Sequence, residues 1–159
     1  MNATLPRPRP PAPLAARRRV VLLAVGGYLL MLLGTGLRAV PGVSDWLWGP
    51  LSLLGLVTAW AAAFQLMLPV RLGLPYLKAP GLDERQWQRL AQAHVSAYRV
   101  VGILILLGYL YFQTADRGHS LPVPRDSFTW TALWSGAMLL ICALPGALLA
   151  WTEPDPPGE

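Results

Sequence analysis

The chain has 159 residues, of which 54% are hydrophobic and only 13% charged, and its mean hydropathy is +0.43. Soluble domains usually carry about 25% charged residues, so this composition excludes a disordered chain and argues against an ordinary water-soluble domain. The net charge of +5 comes from basic residues that flank apolar runs, which indicates lipid headgroups rather than nucleic acid as their partner.

The first predicted element is a proline- and arginine-rich tail, residues 1–19, which lacks the apolar content to pack a core and should be disordered. An apolar run follows, and we predict a first membrane span over residues 20–38. This run is too long for a signal peptide, and Arg38-Ala39-Val40 is not a small-residue cleavage site. The segment should therefore stay in the membrane.

Three further apolar segments are long enough to cross a hydrocarbon core of about 30 Å, which needs about 20 residues. They cover residues 46–69, 91–113 and 128–151, and an acidic tail, residues 153–159, follows the last one. Tryptophans mark several of their ends, as is typical of membrane interfaces. We therefore predict an all-α integral membrane bundle of four transmembrane helices, formed by residues 20–152.

The distribution of Lys and Arg predicts an orientation. Ten of the 13 basic residues lie in the first tail and in the connection between spans two and three. Because cytoplasmic segments carry the excess of Lys and Arg, both termini and this connection should be cytoplasmic. The bias towards Arg, Ala, Gly and Pro suggests a bacterial source, and thus the inner (cytoplasmic) membrane.

An amphipathic helix over residues 83–99 should extend the third span on the cytoplasmic side. Asp83 is a suitable N-cap, and Gln86 completes a variant of the capping box. At 100° per residue the segment has an apolar face opposite a basic and polar one. The apolar face comprises Trp87, Leu90, Ala91, His94, Val95, Tyr98 and Val101, and the other comprises Arg85, Arg89, Gln92, Ser96 and Arg99.

Two interpretations of this extension remain open. An apolar face opposite an arginine stripe is typical of a helix in the plane of the headgroups, where Arg85, Arg89 and Arg99 would contact anionic lipids or an acidic partner. Alternatively, the apolar face packs on the bundle and the arginines are only solvated. The sequence also leaves open whether the extension lies on the membrane or continues straight from the third span.

The motif Asp83-Glu84-Arg85, followed by a helix rich in Ala, Tyr and Arg, resembles the juxtamembrane segment of small uncharacterised multi-pass bacterial membrane proteins. The resemblance spans about 20 of the 159 residues. It implies a membrane location and no particular activity.

The sequence offers little for catalysis or for cofactor binding. The chain has two histidines and one cysteine, too few for a haem held between helices or for a thiolate metal cage, so we expect no metal, no cofactor and no catalytic residue. His94 is a candidate pH-sensitive residue because it lies within the apolar face near the interface. Residues 20–37, 46–70, 100–113 and 128–151 contain no Asp, Glu, Lys, Arg or His, which argues against an ion-coupled carrier.

Small residues at four-residue spacing predict close contacts between helices. Gly55, Ala59 and Ala63 repeat on the second span, and Ala132 and Gly136 do so on the fourth. These residues would hold the bundle together or form a homo-oligomer. The leading functional hypothesis is a non-enzymatic accessory or interaction protein. The alternative is an oligomeric transporter or channel component for a neutral or lipidic substrate.

Overall fold

The computed structural model describes residues 12–38, 40–74, 83–116, 123–124 and 126–153. Within these residues four α-helices follow one another, with a 3-10 turn, Pro69–Leu72, after the second. They are α1 (Leu14–Leu37), α2 (Asp45–Met67), α3 (Glu84–Asp116) and α4 (Ser127–Thr152). Each is long and apolar enough to cross a membrane, which confirms an all-helical chain with four candidate spans.

The helix limits differ most from the prediction at the beginning of α1. This helix begins at Leu14, so residues 14–19 of the predicted tail are helical, and the rest of that tail up to residue 11 lies outside the described residues. α2 and α4 lie within two residues of the predicted spans. Of the predicted acidic tail only Glu153 is described.

α3 joins the predicted extension and the predicted third span in one continuous helix of 33 residues. At 1.5 Å per residue it is about 50 Å long, more than the hydrocarbon core of a bilayer. The predicted capping box at its beginning is confirmed. The backbone N–H of Gln86 donates to the Asp83 carboxylate at 2.6 Å, and the backbone N–H of Asp83 donates to the Gln86 side chain at 3.3 Å.

α1 and α2 contact each other backbone to backbone through their glycines. A Cβ atom placed on Gly27 would lie 2.6 Å from the Ala59 nitrogen, and one placed on Gly55 would lie 2.7 Å from the Gly27 carbonyl oxygen. Gly34 makes the same kind of approach to Ser52 further along the pair. Only glycine permits these separations, so the backbones of α1 and α2 pack in direct contact.

α4 packs on this pair through its own small residues. The ring of Tyr28 in α1 covers Gly136, and Gly146 lies against the Leu66 carbonyl oxygen in α2. Pro145, which lies inside α4, directly precedes this contact. The buried core therefore consists mainly of alanine, glycine and leucine at the meeting of these three helices.

Contacts at the helix ends define two ends of the bundle. At the first, which we call the Glu153 end, Arg17 and Arg89 both contact Glu153. At the second, the Asp126 end, Arg38 pairs with Asp126 and Trp48 meets Phe128. The beginning of α1 and the end of α4 thus lie together, as expected for four spans that alternate in direction.

α3 is the most peripheral helix. Only 6% of the residues in its most apolar window are buried, compared with 33% in α4. It packs through Leu90, Ala93 and Ala97 near its beginning and through Phe112, whose ring stacks on Trp130 with centroids 5.6 Å apart. Between these contacts its large apolar side chains are exposed.

Candidate functional site

The Glu153 end is built around Arg17, a side chain that is completely buried although it belongs to a run of three arginines. Its Nε donates to the Ala12 carbonyl oxygen at 2.8 Å, and its Nη1 donates to the Glu153 carbonyl oxygen, also at 2.8 Å. Glu153 is the C-cap of α4, where backbone carbonyls lack helical partners. A guanidinium satisfies such a carbonyl and also complements the negative end of the helix dipole.

Two further cationic contacts close this end of the bundle. Arg89 of α3 donates to the Glu153 carboxylate at 3.0 Å, and the guanidinium of Arg18 lies 5.0 Å from the ring centroid of Trp151. Glu153 thus receives Arg17 on its carbonyl and Arg89 on its carboxylate. We call Arg17, Arg89 and Glu153 the arginine clasp, and it connects α1, α3 and the end of α4.

The three arginines proposed to contact lipid headgroups differ in whether they belong to the arginine clasp. All three are exposed, but Arg89 is already paired with Glu153, whereas Arg85 and Arg99 lie on the surface of α3 on either side of it. An exposed ion pair contributes little to stability, in general less than about 1 kcal/mol. Arg85 and Arg99 are therefore the better candidates for contact with an anionic surface.

The side of α3 that packs is not the centre of the predicted apolar face. Leu90 belongs to that face and is buried, but Ala93 and Ala97 are the other packed residues. Trp87 and Tyr98, which belong to the predicted apolar face, are 46% and 68% exposed. The extension therefore combines both interpretations, because its alanine side packs on the bundle while its aromatic side faces outward.

His94, the candidate pH-sensitive residue, is half-buried on α3. Its Nδ1 lies 2.8 Å from the carbonyl oxygen of Leu90, one turn earlier in the same helix. A carbonyl only accepts, so the proton of this contact is on Nδ1. The partner of this ring nitrogen is thus a backbone carbonyl of the same helix and not another titratable group.

The outward side of α3 carries a regular row of residues, which we call the tyrosine face. At 100° per residue its members lie within about 80° of one another. They are Tyr98, Gly102, Ile105, Tyr109 and Gln113. A Cβ atom on Gly102 would meet no other atom within 4 Å, and the Gln113 amide donates to the Tyr109 hydroxyl at 3.2 Å.

The Asp126 end is held by a second ion pair, between Arg38 and Asp126 at 3.0 Å. Asp126 is also the N-cap of α4, and its carboxylate accepts from the Thr129 backbone N–H and from the Thr129 hydroxyl. These two hydrogen bonds, and to a smaller extent the charge of Arg38, lower the pKa of Asp126. The carboxylate is therefore ionised at neutral pH and caps the helix while it pairs with Arg38.

The sequence analysis did not single out the arginine clasp. Arg17 is one of three adjacent arginines, and counting basic residues cannot tell which of them points into the bundle. In the structure Arg17 lies two heptads before Met31, which is 2% exposed, so both residues are on the packed side of α1. The burial of Met31 is seen only in the structure, and the sequence carried no signal for it.

Among the described residues no group of three or more His, Cys, Asp or Glu side chains is close enough to hold a metal ion. In comparisons with known proteins, the chain matches no family model, no curated protein and no solved structure. The function proposed below therefore rests on the geometry of the chain itself.

Proposed function

We propose that the chain is a non-enzymatic accessory protein of the cytoplasmic membrane that binds another membrane helix through the tyrosine face of α3. The observation that carries the proposal is the position of this face. Gly27, Gly55 and Gly146 of the other helices each lie against a neighbouring helix, whereas a Cβ atom on Gly102 of α3 meets no other atom within 4 Å on the exposed side that also carries the two tyrosines.

The composition of the tyrosine face favours a protein helix over lipid as its neighbour. Glycine lets two helix backbones approach closely, and this is the way in which α1 and α2 already pack in this chain. Tyr98 and Tyr109, which are 68% and 59% exposed, flank Gly102 and offer hydroxyl groups to a partner. Tyr109 lies about 15 Å along α3 from Arg99, among lipid tails that cannot form hydrogen bonds with its hydroxyl group, whereas a polar side chain of a partner helix can.

The basic part of α3 fits the same proposal. Arg85 and Arg99 lie on the Glu153 end of the helix and are exposed. Each arginine near an anionic leaflet contributes about 1 kcal/mol of attraction. Headgroups would thus hold this end of α3 at the surface while the tyrosine face remains available inside the bilayer. The partner is either a second copy of the chain or a different membrane subunit.

The proposal is tested by photocrosslinking in intact membranes, with a photoreactive residue at position 105 on the tyrosine face. Position 29 on α1 is a matched control, since Ile105 and Leu29 are 63% and 59% exposed. We expect one discrete protein adduct from position 105 and none from position 29. Its mass shows whether the partner is a second 17.3 kDa chain.

A second variant makes the crosslinking result specific. Gly102→Leu should abolish the adduct, because leucine blocks close approach of a partner, while thermal stability stays unchanged because Gly102 contacts nothing within the described chain. Equal adducts from positions 105 and 29 would show that the tyrosine face has no specific partner. A discrete adduct that survives Gly102→Leu would show that close approach at Gly102 does not hold the partner, and either result contradicts the proposal.

We also propose that the Glu153 end is cytoplasmic, which places both chain ends and the connection between α2 and α3 inside the cell. The support is the excess of Lys and Arg in these segments. An alkaline phosphatase fusion after Gly118 should be active and one after Pro80 inactive, because this enzyme folds only outside the cytoplasm. The opposite pattern of activities contradicts the orientation.

A further inference from the structure

The exposed side of α3 that includes the tyrosine face follows a heptad pattern. Between residues 88 and 109, alternating steps of three and four residues connect a row of positions, and every one of them is exposed. A repeat of about 3.5 residues is typical of two helices that wind around each other with a left-handed twist. We call this row the heptad seam, and it consists of Gln88, Ala91, Val95, Tyr98, Gly102, Ile105 and Tyr109.

The heptad seam differs in composition from the other exposed side of α3. That side is aliphatic in the part of the helix that follows Arg99, with residues between 50% and 58% exposed. They are Ile103, Leu106, Leu107 and Leu110. Lipid tails match such side chains, whereas the seam offers a glycine and two tyrosines, which favour close approach and hydrogen bonds between helices. The two sides therefore suit different neighbours, lipid for the aliphatic side and a helix for the seam.

The polar groups at the end of the seam are complementary to themselves. The Gln113 amide donates to the Tyr109 hydroxyl at 3.2 Å, and within the described part of the chain neither side chain has another hydrogen bond. The Tyr109 proton and the Gln113 carbonyl oxygen therefore remain as one donor and one acceptor, side by side. Two copies of the chain insert in the same orientation, so their α3 helices are parallel and each donor lies at the depth of the other copy's acceptor.

The residues beside the seam also fit a second copy. In a parallel pair, a residue on one flank of the seam lies next to the residue about five positions further along on the opposite flank of the other helix. Arg99 thus lies beside the other copy's His94. The Nε2 of a neutral His94 carries a lone pair, because the proton is on Nδ1, and it accepts from a guanidinium. From Gln88 to Gln113 this register brings no two like charges together.

A helix on the seam leaves the bundle intact. The residues of α3 that pack on the bundle, Leu90, Ala93 and Ala97, lie about 120° around the helix from the seam at 100° per residue. With helix axes about 9 Å apart, a second α3 at this angle lies about 15 Å from α4, the helix that α3 contacts most. The two-fold axis therefore keeps the two bundles apart, and only the α3 helices need to meet.

We propose that the tyrosine face binds the same face of a second copy, and that the two α3 helices form a parallel two-fold pair along the heptad seam. This inference rests on the proposed function, whose partner it names. Both copies contribute the same residues, as a closed two-fold interface requires. At the end of the seam, the Tyr109 hydroxyl of each copy donates to the Gln113 carbonyl oxygen of the other.

The test is disulfide crosslinking in intact membranes, with single cysteines introduced on a Cys142→Ala background. Ile105→Cys lies on the seam, whereas Ile103→Cys and Leu107→Cys lie on the aliphatic side. The native side chains at 105, 103 and 107 are 63%, 58% and 56% exposed, so the three positions are matched. A disulfide forms without backbone movement only if its two Cα atoms lie within about 7 Å. After oxidation with copper phenanthroline, we expect a product of twice 17.3 kDa from position 105, at least about tenfold more than from the other two.

Two further measurements identify the partner and the bonds. The same crosslinking on the purified chain in liposomes, where no other protein is present, should again give the dimer from position 105. Tyr109→Phe on the Ile105→Cys background removes both donors of the reciprocal hydrogen bonds and should weaken dimer association about five- to tenfold. Tyr111→Phe makes the same chemical change on a half-buried residue away from the seam and should leave the crosslinking unchanged.

Other outcomes would overturn the dimer. Equal products from positions 105, 103 and 107 show random collision of chains. If position 105 gives no disulfide but its photoreactive variant gives an adduct with a different protein, the dimer is wrong and the proposed function stands. If neither method gives a product, both are contradicted. Equal crosslinking in Tyr109→Phe and Tyr111→Phe rules out the reciprocal hydrogen bonds.

Discussion

Replacing Gly27 with leucine should lower the melting temperature of the purified chain by about 6–12 °C. The side chain has no space, because even a Cβ atom at this position would lie 2.6 Å from the Ala59 nitrogen and 2.9 Å from the Gly55 carbonyl oxygen. The helices must separate, at a cost of about 3 kcal/mol or more, and each kcal/mol lowers the melting temperature of a chain of this size by about 2–4 °C.

The adjacent residue provides the control for this prediction. Gly26 belongs to the same helix, but a Cβ atom there meets nothing within 4 Å. Gly26→Leu should leave the melting temperature unchanged or raise it slightly, since leucine favours a helix by several tenths of a kcal/mol relative to glycine. Gly55→Leu should behave like Gly27→Leu. Thermal unfolding in detergent measures all three, and equal melting temperatures for the Gly26 and Gly27 variants would contradict the contact between α1 and α2.

The second large effect is expected from Arg17→Gln. A glutamine amide is too short to reach the carbonyls of both Ala12 and Glu153, so at least one of these part-buried carbonyls loses its hydrogen bond to residue 17. Hydrogen bonds to charged groups contribute about 1.5–3 kcal/mol each. We expect the free energy of unfolding to fall by about 3 kcal/mol and the last turn of α4 to open.

Arg19→Gln is the matched control because Arg19 lies two residues further along the same helix and is exposed. This variant should differ from the wild type by less than about 0.5 kcal/mol. Hydrogen exchange at the amides of residues 150–153 reports on the end of α4 directly. Faster exchange only in Arg17→Gln supports the clasp, whereas equal exchange in both variants shows that the burial of Arg17 does not stabilise this end.

The sequence predicted the number, type and order of the elements because these depend on local properties. Runs of apolar residues give the four spans, and the hydrogen bonds between Asp83 and Gln86 follow from their spacing alone. The backward extension of α1 to Leu14 was missed because its charges indicated a solvated tail. One of these charges, that of Arg17, is buried, and its burial depends on the carbonyl of Glu153, which is 136 residues away along the chain.

The sequence left two interpretations of the face of α3 that packs on the bundle, for a physical reason. The apolar face was chosen by the size and hydrophobicity of its side chains, as is appropriate for a helix that packs on a core in water. In a bilayer the lipid is as apolar as the core, so large side chains have no need to point inward and small ones favour close packing. Ala93 and Ala97 are accordingly buried, whereas Tyr98 is exposed.

The arginine clasp has a consequence for the order of events during synthesis. The contact between Gly27 and Gly55 involves neighbouring helices, so α1 and α2 can associate as soon as both have entered the membrane. Arg17 must wait for the carbonyl of Glu153, and at about 5–20 residues per second the ribosome needs roughly 7–27 s to add the 136 residues between them. The first helix therefore reaches its final set of contacts only after the last one has been made.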